Sequence, residues 1–168
     1  TRYGAQDFYT GAGLFESIGK NGVVKNLRME NTDIDVTTGS AGSVCGDNFG
    51  LIENCYHTGQ VRTASQWAGG IAGRNYGTIR HCHNSGTVFA QLGIAGGICG
   101  DALDYPSDTA VENAVVENCY NTGAVSAPYY VGGICGTVKQ TAGIYNCYNT
   151  GEVTANTGYE YYARGIAS

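Results

Sequence analysis

Apolar residues in this chain fall into short pieces that recur at an even spacing. A Gly-rich block carrying one or two aliphatic side chains stands at 41–46 (AGSVCG), 68–73 (AGGIAG), 95–100 (AGGICG) and 131–136 (VGGICG). A degenerate copy, AGLFES, precedes them at 12–17, and RGIAS at 164–168 opens one more. After each block comes a second piece: VVKNLRMENT, LIENCYHTG, TIRHCHNSG, VVENCYNTG and GIYNCYNTG. A third piece, VRTA, VFAQ, VSAP or VTAN, closes the later units. The Gly blocks lie 27, 27 and 36 residues apart, so the period is 27 and the last interval holds an insertion, DALDYPSDTAVEN at 101–113.

A unit of three short strand-like pieces, each ended by Gly or Asn-Thr-Gly, is too short and too Gly-rich for paired helices. It fits one turn of a parallel β-helix. The chain therefore reads as all-β: one parallel β-helix (β-solenoid) domain over residues 1–168, of about five coils, with loops at 101–113 and 156–162. In such a stack each coil bonds only to its neighbours, ~4.8 Å away, and equivalent residues form columns.

Charge tests that expectation, because opposite charges stacked across strands stabilise and like charges do not. One station runs Lys25, Glu53, Arg80, Glu117, Tyr145, with alternating signs. A second runs Asp47, Arg74, Asp101. Asp35 and Arg62 form a third opposite pair if the extra residue of the first unit is absorbed at its turn.

Composition narrows the function. The chain has 27 Gly, 2 Pro and only 14% charged residues, as expected of one that turns often. Its net charge of -5 supplies no basic stripe for phosphates, so nucleic acid is not an expected partner. No apolar run reaches the roughly 20 residues of a membrane-spanning helix, so no membrane insertion is expected in this segment. No leader opens the chain, which places any export signal or anchor outside it.

The segment AGLFESIGKNGVVKNLRMENTDI, followed by the Gly-Gly-Ile blocks and the recurrent Ile-x-x-Cys pieces, resembles the GLUG-motif repeat family of bacterial secreted and surface proteins. The likeness runs from about residue 11 to the end. It implies a right-handed helix, in line with the general preference for right-handed crossovers, and an extracellular or cell-surface location. It also implies the company of adhesins, carbohydrate-associated surface proteins and the non-catalytic parts of some secreted peptidases. Where the family usually has Leu-Val or Ile-Val in the first block, this chain has Ile-Cys or Ile-Ala. The chain starts inside one coil and stops at the opening of another, so the rest of a longer parent chain is an expected neighbour.

Seven cysteines fall into two columns, and the odd number leaves one unpaired. Cys55, Cys82, Cys119 and Cys147 share a station with Leu27, which marks an apolar slot filled by a ladder of reduced thiols. Cys45, Cys99 and Cys135 share theirs with Ala72, Ala167 and Glu16, and Glu16 points to shallow burial there. His57, His81 and His83 surround Cys82 and raise the question of zinc. Each replaces an Asn or Tyr of a repeated column read as ordinary surface, so neither a metal nor any other cofactor is called for.

Asp101, Asp104, Asp108 and Glu112 give the insertion an acidic character with Pro106 in its middle, a solvated loop or a calcium site of no known spacing. Nothing else supplies the second catalytic group that glycoside hydrolysis or lyase chemistry needs. Trp67, Ile94, Tyr130 and Tyr162 align before the Gly blocks and are expected to stack inside, leaving Tyr129, Tyr159 and Tyr161 outside on one edge. Exposed tyrosines can hold a sugar ring or a partner protein. The reading is a non-catalytic structural or adhesive module that presents loops to a glycan or a surface protein. A substrate-binding or catalytic segment of a polysaccharide-degrading β-helix enzyme is the alternative.

Overall fold

The computed structural model describes residues 11–102, 114–139, 141–156 and 163–166. Every strand pair is parallel, and the described residues contain no helix. In the coil that begins at Trp67, the chain follows a first sheet over Trp67–Gly69, a second over Ala72–Asn75 and a third over Thr78–Arg80. A fourth sheet takes two short strands, His83–Asn84 and Thr87–Ala90. Five such coils stack, and Ala163–Arg164 begins a sixth on the first sheet. The fold class and coil number read from the repeat are those observed.

Register follows the repeat. Trp67 pairs with Ser40 and Ile94, and Ile94 with Tyr130. Lys25, Glu53, Arg80, Glu117 and Tyr145 occupy one column of the third sheet. Asp35 faces Arg62, and the extra residue of the first unit is taken up by a register shift between Met29 and Thr32. One column differs from the expectation: Phe15, not Glu16, pairs with Cys45. The inference of shallow burial from Glu16 falls with it, since Cys45, Cys99 and Cys135 have no exposed surface.

Each unit also has four sheets rather than three pieces, because the Gly block bends into two strands. In the third, fourth and fifth coils the bend requires Gly at a station where the second coil has Ser43. A Cβ on Gly70 would lie 2.6 Å from the Asn84 amide carbon, and Cβ atoms on Gly97 and Gly133 would strike the Asn121 and Asn149 amides in the same way. The third sheet ends in a different turn, at Asn26, Asn54, His81, Asn118 and Asn146, with φ of 58°, 52°, 53°, 53° and 50°. Asn tolerates this left-handed region better than other side-chain-bearing residues.

The interior holds two main apolar compartments and a third small cluster of Ala12, Val36, Ala41 and Val61 in the first two coils. Ile52, Ile71, Ile79, Ile98 and Ile134 are fully buried with the cysteines, while Ala68, Val88, Ala95, Val125 and Val131 fill a smaller compartment. Trp67, Ile94 and Tyr130 do not join either stack. They are half-buried on the outside, and their chain neighbours Ala68, Ala95 and Val131 point in. The bend after Gly69 interrupts strand alternation, so counting parity from Ile71 back to Trp67 gives the wrong side.

Candidate functional site

The alternating charges serve the stack. Glu53 accepts Lys25 Nζ at 2.6 Å and Arg80 at 2.9 Å, and these cations, Lys25 first, hold its carboxyl below the usual range. Arg80 turns to Glu53, while Glu117 follows it in register. Arg74 is almost fully buried and donates from Nε (2.8 Å) and Nη2 (2.5 Å) to the two oxygens of Asp47. Its guanidinium lies 5.0 Å from the Trp67 ring centre. Burial alone would lower the Arg74 pKa, but Asp47 outweighs it and the net shift is upward. Asp101, next in the column, accepts a hydrogen bond from the Thr137 hydroxyl, and its burial raises its pKa. Arg62 bridges Asp33 and Asp35 at 3.3 and 3.2 Å. These acids are engaged in ladders.

The structure brings Cys55, Cys82, Cys119 and Cys147 into one column lining the larger compartment. Each sulfur turns to main chain. The thiols of Cys55, Cys82, Cys119 and Cys147 donate to the carbonyls two residues earlier at 3.4, 3.2, 3.2 and 3.2 Å. Cys55 N–H donates to Cys82 Sγ, and Cys82 N–H to Cys119 Sγ, both at 3.4 Å. Their contacts push Cys82 and Cys119 up to about 12, chiefly through the thiol of the next coil. Cys147, at the end of the column, is lowered by its bond with Cys119.

The histidines are dispersed. His57 is fully buried between Asn84 Oδ1, 2.6 Å from Nδ1, and Thr32 Oγ1, 2.8 Å from Nε2. The column read as surface is thus internal: Asn84 and Asn121 have no exposed area. Each Asn amide closes a turn onto the Gly two residues on and also bonds the next amide in the stack. A second amide pair, Asn48 to Asn75 at 2.7 Å, repeats the device, and its only trace in the sequence is the recurrence of Asp-Asn and Arg-Asn at that station. His83 belongs to a half-buried aromatic ladder, Tyr56, His83, Tyr120 and Tyr148, with ring centres 3.9, 4.6 and 5.1 Å apart. The sequence reading of that column as plain surface fits Tyr148, 53% exposed, but misses the stacking of its rings. His81 is exposed at its left-handed turn. Among the described residues no three His, Cys, Asp or Glu side chains form a metal cluster.

Tyr129 is 47% exposed at one edge of the first sheet. With Gln66, Leu92, Gly93, Ile94 and Tyr130 it lines a shallow groove, in which Leu92 is 60% exposed. Tyr159 and Tyr161 lie outside the described residues, as do Tyr162, the 156–162 loop beyond Asn156, and Asp104, Asp108 and Glu112 of the insertion.

Parallel coils, a 27-residue register and ladders of like side chains define a β-solenoid repeat module. The model described as the GLUG motif matches residues 68–88 and 127–154, so two segments of the chain carry that motif. No curated protein matches it. Among solved structures it is similar to a Bacteroides ovatus protein provisionally named an immunoglobulin A1 protease. The two share 21% identity with a TM-score of 0.51, over 89% of this chain and 68% of that one. That likeness is one of fold.

Proposed function

We propose that this chain is a non-catalytic module of a bacterial secreted or surface protein, and that it is adhesive, holding a sugar ring against Tyr129. The observation that carries the reading is the groove of Gln66, Leu92, Ile94, Tyr129 and Tyr130. It sets the exposed side chains of Leu92 and Tyr129 beside the Gln66 amide. Tyrosine suits a sugar because its ring face takes C–H groups while its hydroxyl and a nearby amide take hydroxyls. The sequence adds Tyr159 and Tyr161 as candidates, both outside the described residues. The GLUG repeats and the fold of the Bacteroides neighbour support a secreted or surface setting.

Glycan-array binding by the wild type, lost in Tyr129→Ala with Tyr159→Ala and Tyr161→Ala, is the expected result. Tyr129→Ala alone should leave the melting temperature nearly unchanged, within about 0.5 kcal/mol of stability, because the ring is a surface group. Glycan binding that survives all three changes removes the basis for this site. Binding to proteins but to no glycan assigns the groove to a protein ligand instead.

A further inference from the structure

The two thiol columns differ in a way that the repeat does not require. In the column of Cys55, Cys82, Cys119 and Cys147 every sulfur bonds main chain in the same manner, so translation along the stack relates them. The second column breaks that relation. Cys99 and Cys135 are direct partners in register, yet their sulfurs stand 3.2 Å apart, closer than the ~4.8 Å coil spacing that translation would give. The two side chains have converged on each other. The remaining member, Cys45, is separated from Cys99 by Ala72 and has no thiol at the adjoining station.

We infer that Cys99 and Cys135 form a disulfide when the chain folds in an oxidising environment. A coil spacing of ~4.8 Å lies inside the 4.4–6.8 Å range of Cα separations found in disulfides. The sulfurs must close by roughly 1.1 Å to reach the ~2.05 Å bond. Gly100 and Gly136 follow the two cysteines directly, so neither is followed by a side chain that would resist a small change in its course. The bond would join the fourth coil to the fifth across the interval that contains the 101–113 insertion, where the period is longest.

The oxidant is a small-molecule or protein disulfide. The thiolate of one cysteine attacks it, releasing one reagent thiol and leaving a mixed disulfide. The second cysteine, as thiolate, attacks the protein sulfur of that mixed disulfide and releases the other reagent thiol. Two protein S–H bonds and one reagent S–S bond are replaced by one protein S–S bond and two reagent S–H bonds. Both cysteines are completely buried, so the exchange takes place as the fourth and fifth coils close, and the product is sealed from reductant afterwards.

The test is to refold the reduced full chain in a mixture of oxidised and reduced glutathione, then alkylate it in denaturant and measure its mass. Cleavage after acidic residues separates the two positions, because Glu112 and Glu117 lie between them. The expected product is about 2 Da lighter before alkylation and labels at every cysteine except Cys99 and Cys135, which appear as one crosslinked peptide. In the folded protein that link should resist a reductant that removes it in urea. Cys99→Ser and Cys135→Ser should each leave all other thiols free to label, and the wild-type map decides the matter even if a variant fails to fold. Labelling of all seven cysteines without reductant overturns the inference. So does a crosslink within the Cys55 column, or a crosslink pattern identical to that of chain oxidised in urea.

Discussion

Asn118 and Asn121 lie three residues apart in one strand-and-turn of the fourth coil, and the fold uses them in opposite ways. Asn118 is exposed, with φ of 53°, and its backbone is what matters: it turns the chain from the third sheet to the fourth. Asn121 has no exposed surface. Its Nδ2 donates to Gly123 O at 2.8 Å and to Asn149 Oδ1 at 2.7 Å, while its Oδ1 accepts Asn84 Nδ2 at 2.8 Å and Gly123 N–H at 3.3 Å. An amide carries donors and an acceptor in one planar group, so it can bond the coil before and the coil after and still close its own turn. The same letter, repeated at the same spacing, therefore marks a conformational requirement in one column and a buried polar ladder in the other.

Breaking the buried column should have the larger effect. Asn121→Leu fills the site with apolar atoms but strands the Asn84 amide donor, the Asn149 acceptor and the Gly123 N–H in the interior. Each buried group left without a partner costs ~1–3 kcal/mol, so the variant should lose about 3 kcal/mol or more in urea unfolding. A loss under about 1 kcal/mol would mean that the ladder is not a source of stability. The same substitution at Asn118 removes the acceptor of Asn146 Nδ2, at 3.3 Å, but both residues are exposed and water replaces the bond. Its cost is that of a bulkier side chain in the left-handed region, about 1–2 kcal/mol, and Asn118→Gly should come within about 0.5 kcal/mol of wild type because Gly reaches that region freely. If Asn118→Gly destabilised as much as Asn118→Leu, the side chain rather than the backbone would be the reason for Asn there.

Much of this molecule is legible without coordinates. A period of 27 residues with Gly at fixed stations gives the coil, and Lys25, Glu53 and Arg80 give the register, because stacked like charges would repel. What escaped has physical causes. The bend after Gly69 resets strand alternation, so Trp67, Ile94 and Tyr130 were placed inside when they lie outside. Burial of an amide contradicts hydropathy, and only the partners above and below, which belong to other coils, make it stable; hence Asn84 and Asn121 read as surface. At Cys99 and Cys135 the column was visible, whereas the approach of the two sulfurs depends on rotamers that no spacing records. Of the candidate glycan edge, Tyr129 was picked out by its letter and its place before the Gly block. Its companions Gln66 and Leu92 were not, because they come from the turn of another coil or from its rim.

His57 offers the finest probe of the comparison, because it occupies the buried column in the second coil where later coils have Asn. Burial lowers its pKa, against a smaller upward pull from Asn84 Oδ1, so the folded protein keeps the ring neutral further into acid than the unfolded chain does. Between the two values the unfolded chain binds more protons, and stability rises with pH. The contribution is therefore complete above the unfolded value, ~6.5, and is lost as pH falls through it toward the folded value. His83 is shifted in the same direction by partial burial and Asp101 is raised, so the wild-type slope alone does not isolate one group. Subtracting the curve of His57→Asn does. At pH 7 that variant should stay within about 1 kcal/mol of wild type, since an Asn restores the donor and acceptor of the column. The difference between the two stability curves should then shrink or reverse as pH falls from 7 to 5, in favour of the variant. A difference that is flat across this range would show that His57 is not held neutral by the fold, and that its place in the amide ladder is only one of shape.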